Sequence, residues 1–379
     1  MILDDAILED ADALAAADTR DLLLITASAG ASMRASAHSV DPDLVGRVAS
    51  EGRPRAIVVA GGGGSRVGGD ILAAVAGPRS PVPVVTVGGP GLPGWVGPAD
   101  LVVAVSAGGG TRETLTVAAE AARRGCRLVG VCPPGSALAE LVDATRSAVR
   151  FGVGIPPVGG NWRARALMWS LATPILLVGG QMGLVPNASD AIEAAARVLD
   201  DIADQCSPMR DSITNPAKQW AVELALSLPL LWGTGSVGAV AVRRLSRQLA
   251  ENAGLPAIYG NLPEAARTQS ALLAGPRAGQ SDVDDIFRDR LEDPDGWTRI
   301  RLVLLRDADE HPDTAVLAED AARVAEQRGV PVSILRAEAG HPLERLASLV
   351  GLTDFATVYA ALALGVDPLA SRNDLDGRI

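Results

Sequence analysis

Aromatic side chains are scarce, 3% of a 379-residue chain whose apolar content is 48%. The cores must therefore be built from Ala, Val and Leu, a composition that favours α/β layers over a β-sandwich. Basic residues are outnumbered, 34 against 45 acidic for a net charge of −11, and no basic tract occurs. Phosphate-backbone binding needs a clustered positive face, so nucleic acid is not an expected partner. A small phosphorylated substrate remains open, because a local nest of N–H groups can overcome the global field. Cysteine is limited to Cys126, Cys132 and Cys206, which lack metal spacing. They read as small core hydrophobes in a reducing cytoplasm, and no metal site is expected. The opening segment has neither a basic start nor an apolar run, which predicts no signal peptide. The most apolar stretches, Leu171 to Val178 and Phe355 to Val366, are too short to cross a bilayer. A soluble cytoplasmic protein without a membrane partner is the expectation.

The length predicts two domains, each large enough for a full core. Residues 1–50 look like an extension with an acidic helix, a short strand over Leu22–Ile25 and an Ala-rich segment. Strands are predicted at Ala56–Ala60, Val82–Val87, Leu101–Ser106, Arg127–Cys132 and Ala148–Val153, alternating with helical patterns such as Thr111–Arg124. Gly154–Gly160 reads as a junction. Helices are predicted over Trp162–Val178 and Ser189–Asp204. The rhythm then restarts, with strands at Leu230–Gly233, Pro256–Tyr259, Ile300–Leu305 and Pro331–Leu335 and a closing helix over Asp354–Leu364. This pattern predicts two doubly wound parallel-sheet α/β domains related by duplication, over residues 51–155 and 156–379.

Glycine marks the places where chemistry could sit. Ile57–Ala60 runs into Gly61-Gly62-Gly63-Gly64-Ser65-Arg66-Val67-Gly68-Gly69-Asp70, an apolar strand that breaks into bare backbone with one hydroxyl. Such a turn offers main-chain N–H groups to an anion at a helix N-terminus, and it can equally be an ordinary tight strand-to-helix connection. Neither the Walker pattern nor the dinucleotide fingerprint fits it. Ser106-Ala107-Gly108-Gly109-Gly110-Thr111 is a second strand-to-helix turn with two hydroxyls, and Thr111 can cap the helix it starts. Gly233-Thr234-Gly235-Ser236-Val237-Gly238 matches G-x-G-x-x-G. No acidic residue ends a following strand about 20 residues on, as ribose binding would need.

These turns resemble those of the sugar isomerase (SIS) domain proteins, which carry a Ser-x-Ser-Gly-x-Thr phosphate loop after a strand. The chain looks most like two-domain bifunctional phosphoglucose/phosphomannose isomerases. The likeness rests on Gly61–Asp70, Ser106–Leu115, Asn215–Gln219 with Gln248–Glu264, and Leu352–Pro368, and spans roughly residues 55–379. It implies flavodoxin-like SIS domains, a phosphorylated sugar as partner, no cofactor and a homodimer. By this resemblance Ser65 and the N–H groups of Gly63 and Gly64 would hold the sugar, Ser106 and Thr111 would grip the phosphate, and Arg163 or Arg165 would face the substrate. Glu251 matches the base of an aldose–ketose isomerisation through an enediolate.

Three departures stand out. Gly108 replaces the loop's second serine, Arg267 stands at the ring-opening histidine, and Arg378 falls at the C-terminal lysine. Arginine does not shuttle protons near neutral pH, although it can clamp an anion bidentately. His38, His311 and His341 lie outside the matching motif. The resemblance therefore implies a glucose/mannose 6-phosphate and fructose 6-phosphate isomerase. The alternative is a non-catalytic sugar-phosphate binder or sensor that kept the fold and lost the proton shuttle.

Overall fold

The computed structural model describes residues 3–153, 167–278 and 299–368. The chain begins with helices α1 (Ala11–Ala17), α2 (Leu22–Ala27), α3 (Ala29–Ser39) and α4 (Pro42–Ser50). The strand expected over Leu22–Ile25 is thus helical. The buried carboxylate of Asp18 accepts from Leu22 N at 2.8 Å and Leu23 N at 2.7 Å, and so starts a helix beneath an apolar run that was ambiguous by itself.

Strands and helices then alternate, except that no helix separates β2 from β3: β1 (Ile57–Gly61), α5 (Val67–Ala76), β2 (Val84–Val87), β3 (Leu101–Val105), α6 (Arg112–Arg123), β4 (Arg127–Cys132), α7 (Ala137–Ala144) and β5 (Val149–Gly152). Helices α8 (Met168–Gln181), α9 (Ala188–Gln205) and α10 (Pro216–Ala225) lead to the second series. It contains β6 (Leu228–Gly233), α11 (Gly235–Gln248), a π-helical turn over Leu249–Ala253, β7 (Ile258–Asn261), α12 (Glu264–Gln269), β8 (Ile300–Arg306), α13 (Pro312–Gln327), β9 (Val332–Arg336) and α14 (Pro342–Ala363). The nine other expected strands are present within two residues of their expected ends. The expected junction at Gly154–Gly160 and the start of the helix expected from Trp162 lie outside the described residues.

Every pairing is parallel, and the orders are β2-β1-β3-β4-β5 and β7-β6-β8-β9. The second sheet repeats the first four-strand plan, in which the second strand of the series lies outside the first. That order reverses winding direction between β1 and β3, and again between β6 and β8, which places a crevice at the carboxyl ends of those strands. Strands β1 and β3 are buried on both faces, as helix-covered parallel strands must be. The core around them is aliphatic: Val58, Val102, Val117, Leu128, Leu138 and Val142 pack together under α6 and α7.

The chain divides into two compact units. One takes the described residues of Leu24–Asp201 with His341–Glu344, and the other those of Met1–Leu23, Ile202–Gly340 and Arg345–Ala370. In the second unit the N-terminal segment is stapled by Lys218, the only lysine in the sequence. Its side chain is 1% exposed, and its ammonium donates to the carbonyls of Leu8, Pro208 and Arg210. Helix α14 has 22 residues and a mean hydropathy of 1.6 in its most apolar window, enough by length and composition to cross a membrane. The stretch from Phe355 is therefore part of a longer element than expected. Since 89% of that window is buried, α14 is accounted for as a core helix.

Candidate functional site

The two turns singled out in the first domain meet at the carboxyl ends of β1 and β3. Gly61 is required there, because a Cβ would stand 2.9 Å from Arg66 N and 3.0 Å from Val105 O, both backbone atoms. Gly62 lies against Thr111, whose Cγ2 would be 2.8 Å from an added Cβ. Ser65, 4% exposed, accepts from Ala107 N at 3.3 Å and joins the first turn to the second.

Within the second turn, Ser106 Oγ accepts from Gly109 N at 2.9 Å and shares a 3.0 Å hydrogen bond with Thr111 Oγ1. Thr111 is the N-cap residue of α6, yet its hydroxyl does not cap the helix, contrary to expectation. It turns to Ser106 instead, so the first-turn N–H groups of α6 receive no side-chain cap. An uncapped helix start beside three hydroxyls is a strong local attractor for an anion. Gly63 and Gly109 have φ of 51° and 69°, left-handed values that favour glycine. Gly108 differs, with nothing within 4 Å of the point where a Cβ would stand, so the hydroxyl absent there would have room. Thr114, one turn into α6, is a polar group that no sequence motif singles out. Its hydroxyl is buried and has no hydrogen-bond partner among the described residues.

The corresponding turn of the second domain follows the same plan with opposite charge. Thr234, fully buried, accepts from Asp307 N at 2.8 Å, just as Ser65 accepts from Ala107. Here the residue after the central strand is an acid. Asp307 Oδ2 would lie 3.1 Å from a Cβ on Gly235, so its carboxylate stands beside the start of α11. Burial pushes the Asp307 carboxyl above the usual range, while the Arg345 guanidinium pulls it down. Arg345 Nε lies 2.8 Å from Oδ1 but is not aimed along a hydrogen bond, so charge proximity carries the contact. The G-x-G-x-x-G match is therefore lined by a carboxylate, an unfavourable neighbour for a pyrophosphate.

Glu251 sits in the π-helical turn at the end of α11. Its side chain is 33% exposed and 3.4 Å from Arg247. Arg267 lies on α12, 70% exposed and 3.4 Å from Glu264. Gln269 anchors that helix by accepting from Trp232 Nε1 at 2.7 Å. Because α11 runs back from the carboxyl end of β6 to the amino end of β7, Glu251 and Arg267 lie at opposite ends of the same sheet. A single chain does not bring them together within this domain. Arg163, Arg165 and Arg378 lie outside the described residues. Among the described residues, no group of three or more His, Cys, Asp or Glu side chains could hold a metal ion.

Residues 213–373 match the family model of the bacterial phospho-glucose isomerase C-terminal SIS domain. A bifunctional phosphoglucose/phosphomannose isomerase of Caldicellulosiruptor bescii is 24% identical over 312 residues, covering 82% of this chain and 85% of that one. The tagatose-6-phosphate ketose/aldose isomerase of Escherichia coli has a similar fold, with a TM-score of 0.64 at 16% identity over 93% of this chain and 96% of the other. The C-terminal domain of glucosamine-fructose-6-phosphate aminotransferase from Francisella tularensis reaches 0.63 at 12% identity, over 92% and 97%. At such identities these two structures share the fold alone with this chain. Residues 213–373 match a SIS domain by sequence, and the chain as a whole, with its two parallel sheets, resembles the bifunctional phosphoglucose/phosphomannose isomerases along most of its length.

Proposed function

We propose that this protein interconverts aldose and ketose hexose 6-phosphates, with fructose 6-phosphate going to glucose 6-phosphate and mannose 6-phosphate. The observation that carries the reading is the joined pair of turns at the first crevice. Ser65, Ser106 and Thr111 are held by one another and by backbone N–H groups, next to an uncapped helix start. Such a site is ready for a phosphate before the ligand arrives, which lowers the ordering cost of binding. Ser106 and Thr111 would grip the phosphate, with Ser65 and the Gly63 and Gly64 N–H groups on the sugar side. Arg163 or Arg165 would add a cation.

Glu251 would then remove the proton beside the carbonyl and return it to the neighbouring carbon. The enediolate formed between these steps is an anion. Arg267 and Arg378 suit it as bidentate donors, while neither can open a sugar ring by proton transfer. Substrate that has already opened in solution would be the form consumed. The opposite-end placement of Glu251 and Arg267 supports a homodimer in which Arg267 of one copy serves the site of another.

Incubation with fructose 6-phosphate at high enzyme concentration, with coupled detection of both aldose phosphates, tests the proposal. Product should form, Glu251→Gln should lose turnover by about 100-fold or more while keeping phosphate affinity, and light scattering should give a dimer mass. Turnover retained in Glu251→Gln would remove the base assignment. Absence of product from folded protein that still binds sugar phosphate would leave a binder or sensor.

A further inference from the structure

Glu251 is borne by an unusual piece of backbone, and what holds that backbone is a pair of buried fasteners to α14. The π-helical turn over Leu249–Ala253 admits one more residue per turn than an α-helix, which moves position 251 off the register of α11. Gly254 ends it with a left-handed φ of 67°, and Leu255 N reaches back to Leu249 O at 3.1 Å. Such turns are rare and occur mostly as single-turn insertions in α-helices, so this one calls for a local cause.

The two fasteners straddle Glu251. On one side, Arg244 forms a buried two-pronged pair with Asp354, with Nε to Oδ1 at 2.7 Å and Nη2 to Oδ2 at 2.6 Å. On the other, Asn252, 1% exposed, donates through Nδ2 to Thr357 Oγ1 at 3.0 Å. Thr357 is itself fully buried, and its hydroxyl proton is committed to Asp354 O at 2.8 Å. A hydroxyl whose proton is engaged there presents a lone pair to Asn252, so the donor order is fixed. Asp354 and Thr357 are three residues apart on α14 and face the same way. Asn252 points into the core while its neighbour Glu251 is one-third exposed, so locking one side chain fixes the direction of the other.

We infer that Asn252 and Thr357 are positioning residues whose hydrogen bond holds the π-helical turn and thereby aims the Glu251 carboxylate. The Arg244–Asp354 pair anchors the same helix pair one step away. The inference rests on the isomerase reading only for its kinetic consequence; the aiming of Glu251 can be measured without turnover.

The test compares Thr357→Val, Thr357→Ser and Asn252→Leu in the full chain. The first readout is the Glu251 side-chain carboxyl signal by carbon NMR, assigned with Glu251→Gln, together with amide hydrogen exchange over residues 249–255. Thr357→Val and Asn252→Leu should shift the Glu251 signal and speed exchange in the turn at least tenfold. Thr357→Ser, which keeps the hydroxyl, should stay at the wild-type values. The second readout is kinetic: kcat should fall about tenfold or more in the first two variants with KM changed less than twofold, and Thr357→Ser should retain the rate. An unmoved Glu251 signal with unchanged exchange in folded Thr357→Val overturns the inference whether or not the wild type turns over. If the wild type makes no product, the isomerase reading fails alone, and the NMR and exchange results still decide the positioning claim. If Asn252→Leu fails to fold, the Thr357 pair decides it.

Discussion

Replacing Lys218 by methionine should release the N-terminal segment from the second domain. The side chain keeps its length, so little space opens, but the carbonyls of Leu8, Pro208 and Arg210 lose their shared donor. Charge-assisted hydrogen bonds are worth about 1.5–3 kcal/mol each, giving roughly 4–9 kcal/mol for three. Against this stands the cost of holding an ammonium out of water, about several kcal/mol. That desolvation also pushes the Lys218 amine below the usual lysine value. The balance leaves a net loss of about 2–4 kcal/mol, or roughly 5–15 °C in Tm for a unit of this size. Urea or thermal melts give the magnitude, and hydrogen exchange over residues 3–23 gives the location. Lys218→Arg should do nearly as badly, because a planar fork cannot direct donors to three carbonyls arranged around a tetrahedral centre. A Lys218→Met variant within about 0.5 kcal/mol of wild type, a difference typical of a surface substitution, with unchanged exchange at Leu8, would overturn this account of the staple.

Three further outcomes concern the first domain. Gly108→Ser should fold normally and bind inorganic phosphate or glucose 6-phosphate about 2–10-fold tighter by calorimetry, the gain from one added hydrogen bond, whereas Gly61→Ala should destabilise because its methyl meets backbone on two sides. Glu120 is pulled down to about 2, first by the hydrogen bond from Arg123 and then by Arg124. A carboxylate lowered in the folded state contributes stability above its ordinary value of 4.5 and loses it as pH falls toward 2, so an acid titration should show the gap between wild type and Glu120→Gln closing over that window.

Periodicity alone located the strands, because buried parallel strands are short apolar runs bounded by glycine and helix. It misread Leu22–Ile25, where four apolar residues suit strand or helix and the deciding group, Asp18, stands four positions earlier in the sequence. The hydroxyl residues of the candidate site were also legible, as types that bind phosphate at the end of a strand. The orientation of Thr111 was not. Its hydroxyl has two possible partners, and only the arrival of Ser106 from the neighbouring strand end decides between capping the helix and completing the turn. Nor does anything in Gln248-Leu249-Ala250-Glu251-Asn252 announce a π-helical turn, since the extra residue is stabilised by Thr357 on a helix about 100 positions away.

In the mirrored turn at Thr234, a doubled plan divides its labour. At the first crevice the residue that matches Asp307 is Ala107, whose side chain brings no charge of its own. At the second, the negative charge is covalently attached as Asp307, beside the same kind of helix start and with Arg345 as counter-ion. A tethered group has an effective concentration no dissolved anion matches, so it wins the competition permanently. One copy of the plan carries an alanine at this place, while the other has become its own occupant and contributes to architecture.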